Sequence, residues 1–239
     1  MTDSIATQLK AREQEIAVLK DITRTIASVL DLDGVLANVI ALVRKTMHAD
    51  ACLLYLTEDS HDGKMFVLRA SQRPKSRKKI GAVRFAAGSG ITGWVAEHGQ
   101  TVVLEREAYK DQRFVKVAGL PEDDYEAFIS VPILFRTRLV GVMNVQYEKP
   151  TTFSQHDVEL LEMIGQQVGG AIHNAELLAE TEALKSAIET RKTVDKAKAI
   201  LMKRGISEDD AHMLIRKKSM DSRKTLREIA EAIVLLGDL

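Results

Sequence analysis

Between Ser154 and Lys203 the chain has no proline, and its only glycines are Gly165, Gly169 and Gly170. So long a run without a breaker predicts a single long helix. Ser154 is placed to cap that helix, and Asp157, three residues on, to return the bond. Leu161, Ile164, Val168, Ala171, Ala175 and Leu178 step by three and four, the spacing of a coiled-coil seam. A lone helix would leave this stripe in water, so the spacing predicts a parallel homodimer. Residues 4–30 read as a second pairing helix, since Ile5, Leu9, Ile16, Leu19, Ile26 and Leu30 recur at steps near three, four and seven.

Between these helices the pattern changes. Asp31-Leu32-Asp33-Gly34 breaks the first helix and starts another over Val35–Met47. Ala51–Leu56 and Lys64–Ala70 are short apolar runs suited to strands, joined by a turn at Asp59–Gly63. Arg73–Lys79 reads as a solvated basic loop rather than a phosphate patch, because Pro74 and the lack of periodicity argue against order. Gly88, Gly90 and Gly93 match Gly-x-Gly-x-x-Gly formally. No strand is expected to lead directly into them, and the parallel strand-helix-strand context of a dinucleotide site is missing, so they predict a structural loop before a short helix. Val102–Leu104 is a strand, and Glu105–Glu126 a polar loop. Phe128–Phe135 and Leu139–Tyr147 flank a three-residue turn and predict an antiparallel hairpin, with Pro132 at a bulge or an edge.

The chain is formally neutral, with 34 Lys and Arg against 34 Asp and Glu, but the charge is uneven. From Arg191 to Arg227 there are 12 Lys or Arg and five Asp or Glu, a local excess of +7 that attracts polyanions. The same region predicts three helices. Gly205 stops the first, Ser207 caps the second ahead of Glu208, Asp209 and Asp210, and Ser222 is read as capping the third. Val194, Ala197, Ile200 and Leu201, then Ala211, Leu214 and Ile215, then Leu226, Ile229, Ala230 and Ile233, supply three apolar faces for a small bundle.

Other chemistry finds little support. Cys52 is the only cysteine, so no intramolecular disulfide or cysteine metal cluster is expected. The six histidines (His48, His61, His98, His156, His173 and His212) show no metal-ligand spacing, and His173 is read as a polar seam or surface residue. No nucleophile-base-acid set and no Walker loop occur, so an enzyme is not expected, nor a cofactor. No apolar run approaches the ~18 residues of a membrane span, and the N-terminus lacks a signal-peptide core, so a cytoplasmic location is expected and no membrane association.

Residues 51–145 resemble a GAF domain, through Gly88-Ser89-Gly90-Ile91-Thr92-Gly93-Trp94-Val95, Ser130-Val131-Pro132-Ile133 and Leu139-Val140-Gly141-Val142-Met143-Asn144-Val145. The resemblance implies an α+β fold, a central antiparallel sheet flanked by helices, and a pocket for a small-molecule effector. Ser89, Thr92, Trp94, Phe128, Ser130 and Asn144 are assigned to that pocket. The C-terminal region resembles an ANTAR domain, the RNA-binding module of bacterial antiterminators. The residues are Ala197–Met202, Ser207–Ala211, Leu214–Arg216, Ser219–Arg223 and Leu226–Ala230, with Ala199 and His212 where the family often has glycine and an aromatic. It implies RNA contacts from Arg191, Lys192, Lys196, Lys198, Lys203, Arg204, Arg216, Lys217, Arg223 and Lys224.

The expected organisation is a pairing helix at 1–30, a GAF domain at 31–175, a coiled-coil linker helix at 155–190, and a three-helix ANTAR bundle at 187–239. Together they predict a homodimeric regulator that senses a signal and grips tandem stem-loops of a leader RNA to prevent termination. A ligand-controlled protein-interaction module and a DNA-binding regulator without RNA activity are the alternatives.

Overall fold

The computed structural model describes residues 31–60, 63–116 and 125–237. The pairing helix expected within residues 1–30 lies outside them. The chain divides into two units, Met1–Glu176 and Leu177–Leu239.

The first unit is built on one antiparallel sheet. Its strands are β1 (Ala51–Ser60), β2 (Gly63–Ser71), β3 (Arg84–Ala86), β4 (Val102–Leu104), β5 (Ala127–Phe135) and β6 (Arg138–Tyr147), in the order β3-β2-β1-β6-β5-β4. Alternation along the strands separates two cores. Cys52, Leu54 and Leu56 of β1, with Met143 and Val145 of β6, pack beneath α1 (Leu32–Met47) and the start of α3 (Gln155–Lys203). Leu53 and Tyr55, with Val142, face the other way, toward α2 (Gly90–His98). Asp31 caps α1 by accepting a 2.7 Å hydrogen bond from the Gly34 amide. Ser154 and Asp157 form the expected reciprocal cap of α3: the Ser154 amide donates to Asp157 Oδ2 at 2.8 Å, and the Asp157 amide to Ser154 Oγ at 3.2 Å.

The long helix is present, 49 residues from Gln155 to Lys203, but its first apolar stripe is not a pairing seam. Leu161, Ile164 and Val168 are fully buried in the core against the sheet, together with Ile172. Ala175 is 9% exposed, Ala171 packs against the same core, and Leu178 is 52% exposed. Exposing the three buried side chains would forfeit roughly 1.5–3 kcal/mol each, together on the order of a domain's whole net stability. They are committed within their own unit. The helix backbone itself sits against β5. A Cβ on Gly165 would lie 2.8 Å from the Pro132 carbonyl oxygen, and one on Gly169 would collide with that of Leu134. The two glycines are four residues apart on one helix face and give the strand room.

Four further expectations change. The segment after Arg73 holds a helical turn, Pro74–Arg77, because proline suits the first turn of a helix; Arg73 itself pairs with Glu148. A short strand, β3, does lead toward Gly88, but it pairs antiparallel with β2, so no dinucleotide-binding unit forms. The polar loop after β4 contains a 3-10 turn, Ala108–Lys110. β1 extends to Ser60, which pairs with Gly63, so the strands run further than expected. Pro132 pairs with Val142 beyond the end of β4, next to a register shift at Ile133/Leu134, where a missing N–H is tolerated.

The second unit contains the end of α3, then α4 (Glu208–Ser222) and α5 (Leu226–Gly237). Gly205, at φ +87°, closes α3 as expected. Ser207 caps α4, accepting from the Asp210 amide at 3.2 Å. The third cap is not Ser222, whose hydroxyl donates to the Lys218 carbonyl inside α4. It is Thr225, whose amide donates to Glu228 Oε2 at 2.7 Å while its hydroxyl accepts from the Glu228 amide at 3.2 Å. That backbone donor, with the Thr225 hydroxyl, holds the Glu228 carboxyl below its ordinary pKa. Ala197, Leu201, Ala211, Ile215 and Ala230 form the small core, flanked by Val194, Ile206, Ile229, Ile233 and Val234.

Candidate functional site

On the α2 side of the sheet lies a small cleft with a cavity volume of about 50 Å³. Four segments far apart in sequence build it. β1 supplies Tyr55, whose ring meets Phe85 edge-on at 5.0 Å. The turn into α2 supplies Ser89 to Thr92, where Gly90 takes φ +72° so that the helix N-terminus borders the cleft. Ala108, Phe114 and Val115 form another wall, and β5 and β6 contribute Phe128 and Gln146. Gln146 is 1% exposed and adds a carboxamide, both donor and acceptor, to a largely aromatic lining. Among the described lining residues none carries a formal charge.

Of the six residues assigned to this pocket from sequence, Ser89, Thr92 and Phe128 line the cleft. Ser130 and Asn144 lie behind it and are fully buried. The Ser130 hydroxyl donates to Asn144 Oδ1 at 2.8 Å, and Asn144 Nδ2 donates to the Thr92 hydroxyl at 2.8 Å, so these two fix Thr92 rather than meet a ligand. Trp94 is outside the lining. Its indole stacks on His98 at 4.2 Å and lies under the Arg113 guanidinium at 4.9 Å. Arg113 in turn pairs with Asp111 at 2.8 Å, and its hydrogen bond holds the Asp111 carboxyl below its ordinary pKa. Trp94 thereby fastens the segment that carries Phe114 and Val115. Tyr55, Phe85, Phe114, Tyr125 and Gln146 were not anticipated. Alternation along β1 and β6 was the available signal for Tyr55 and Gln146.

The second candidate site is the basic surface of the C-terminal unit. Three of its cations are engaged internally. Lys198 pairs with Glu208 at 2.8 Å and Asp195 at 3.4 Å, and the Glu208 hydrogen bond raises its pKa. Arg227 bonds Glu231 and Glu189, and Arg204 donates to the Leu236 carbonyl. Arg191, Lys192, Lys196, Lys203, Arg216, Lys217, Lys218, Arg223 and Lys224 form no ion pair among the described residues and are exposed. Arg223 takes φ +54°, closing α4 in a left-handed conformation more usual for glycine. Beside these cations, Leu177, Leu178, Leu184 and Ile188 leave an apolar stretch of α3 exposed by 46–59%.

No helix among the described residues is long and apolar enough to cross a membrane, and among them no group of His, Cys, Asp and Glu could hold a metal ion. Cys52 is buried, and burial pushes its thiol pKa up to about 12.

Comparison with known proteins finds a domain in each of the two regions. The GAF domain model matches residues 31–172, and the ANTAR domain model residues 182–234. The GAF domain of a phosphoenolpyruvate-protein phosphotransferase from Coxiella burnetii superposes with a TM-score of 0.63 at 25% identity, covering 70% of this chain and 96% of that one. A dual 3',5'-cyclic-AMP and -GMP phosphodiesterase 11A from Takifugu rubripes is 29% identical over 80% of this chain and 20% of its own length. The nitrate regulatory protein of Klebsiella oxytoca is 37% identical over 84 residues, which is 35% of this chain and 20% of that protein. This chain thus spans about a fifth of the length of these two curated relatives. Both matched domains are regulatory types, and their combination is that of a signal-responsive regulator. The chain belongs to the GAF domain family and carries a C-terminal ANTAR domain, which makes it a GAF-ANTAR regulator.

Proposed function

We propose that this protein is an RNA-binding transcription antiterminator controlled by a small molecule in the cleft of its GAF domain. The observation that carries the reading is the set of nine exposed cations that form no ion pair among the described residues, in the unit that the ANTAR model matches. Lysines and arginines at this density neutralise phosphates and release counterions, which favours a nucleic acid over a neutral partner. The aromatic cleft with its buried carboxamide supports the sensing half, since such concave, mostly apolar sites with few polar groups suit small ligands.

Pairing belongs to the same reading, with a different seam from the one the sequence suggested. Leu177, Leu184 and Ile188 recur at steps of seven and four and are exposed. Leu177 follows Val168 by nine residues, about two and a half helical turns, so the two stripes lie on opposite sides of the helix. Two copies pair through the later stripe, and linkage of two RNA-binding units then raises the effective concentration of the second at a two-hairpin target.

The test is binding of the full-length protein to stem-loop RNA over a range of salt, with readthrough of a terminator as the functional measure. The expected result is affinity that falls linearly on a log-log plot against salt, with preference over duplex DNA of the same length. Absence of RNA binding, or equal binding of the DNA, would overturn the reading in favour of protein interaction or DNA binding.

A further inference from the structure

The most solvent-facing line of α4 is not purely polar. Met213 is 60% exposed and Met220 64%. The inward line of this helix is set by Ala211 and Ile215, both fully buried. Met213 follows Ala211 by two residues and Met220 follows Ile215 by five, offsets of about 200° and 140° around the helix. Both methionines therefore stand away from the core. Arg216 and Lys217 lie between them at helical spacings of three and four, while Arg223, the left-handed residue that closes the helix, and Lys224 follow just past its end. Asp209 precedes Met213 by one turn and Asp221 adjoins Met220, so the surface retains a basic excess. The end of the line is held in place: the Ser219 hydroxyl donates to the Lys224 carbonyl at 2.6 Å, and the Lys224 amide to the Ser219 carbonyl at 3.2 Å.

An apolar, polarizable side chain on the outermost line of a helix does nothing for the bundle. Unbranched thioethers adapt to flat aromatic faces. Cations a turn away meet anions at the same surface. Unpaired RNA bases offer both at once, a flat face and a phosphate beside it, whereas bases within a duplex are stacked on one another and closed to such contact.

We infer that the outer face of α4 is a docking surface for single-stranded RNA loops, with Met213 and Met220 packing against unpaired bases while Arg216, Lys217 and Lys224 hold the flanking phosphates. This rests on the RNA-binding reading and specifies which face makes the contact and what part of the RNA it takes.

The experiment compares the full-length protein, M213Q/M220Q and R216Q/K217Q on a stem-loop RNA with a randomised loop and on blunt duplex RNA, each over a salt series. Circular dichroism and particle mass are checked in parallel; glutamine on this exposed helical line leaves the fold and mass of wild type. M213Q/M220Q is expected to lose about tenfold or more in affinity for the stem-loop, with its salt slope unchanged, and little for the duplex. R216Q/K217Q is expected to lower the salt slope by about 1.4. If M213Q/M220Q binds the stem-loop like wild type, this inference fails while the RNA-binding reading stands. A changed particle mass in M213Q/M220Q makes the face a contact between copies and also overturns it. If wild type binds neither RNA, the underlying reading fails.

Discussion

The two units are held together by different means. In the sheet unit, large side chains close both faces: Tyr55, Leu54, Ile129, Met143, Leu161 and Ile164 are each less than 2% exposed. In the C-terminal unit the described core is five residues, three of them alanine, with no aromatic ring among them. A core that small supplies little apolar burial, so local terms, the caps above all, make up a larger share of stability. The contrast separates roles. The sheet unit turns most of its apolar surface inward, leaving Ile80, Val103 and Tyr109 about two-fifths exposed outside the cleft. The helical unit keeps Met213, Met220, Leu235 and Leu236 at 60–72% exposure, along with its unpaired cations.

Leu161→Ala puts the greatest strain on this contrast. Removing a fully buried leucine should cost about 2–5 kcal/mol, read as an earlier denaturant midpoint of the sheet unit with the oligomeric state unchanged. A change in particle mass with little change in midpoint would return Leu161 to a pairing seam. A smaller effect is expected at the helical caps. Ser207→Ala and Thr225→Ala should each cost about 1 kcal/mol in the C-terminal unit, while Ser222→Ala should leave its helicity unchanged. The smallest effect at neutral pH concerns Cys52. Burial pushes its thiol from an ordinary 9.0 up to about 12, so the folded protein should resist alkylation at pH 8 until denaturant opens the sheet unit. Between pH 9 and 12 the unfolded thiol ionises while the folded one keeps its proton. The folded state therefore binds more protons there, and stability should fall as pH rises through that window, with less of a fall in Cys52→Ala.

Most of the architecture was legible because it depends on local pattern. Alternation gave the strands, and Ser154 with Asp157 gave the start of the long helix. The partner of that helix was not legible from spacing alone, since steps of three and four serve a sheet as well as a second helix. Gly165 and Gly169 were the unread signal: two glycines one turn apart inside a helix mark a close backbone approach. The cap at Thr225 was also in view, because Thr-x-x-Glu satisfies the reciprocal cap that Ser222 lacks. The cleft was half legible. The Gly88–Thr92 turn announces itself, whereas Tyr55, Phe114 and Gln146 come together only once the sheet order is known.

The contact between α3 and β5 has a mechanical consequence. Side chains in a core yield to small displacements by changing rotamer, but at Gly165 and Gly169 two backbones touch with no side chain between them. Such a joint has almost no compliance. β5 carries Phe128 at the cleft and, a few residues on, the carbonyls of Pro132 and Leu134 on which the helix rests. A displacement of the strand at these two carbonyls meets the helix backbone directly, with no side chain between them to absorb it.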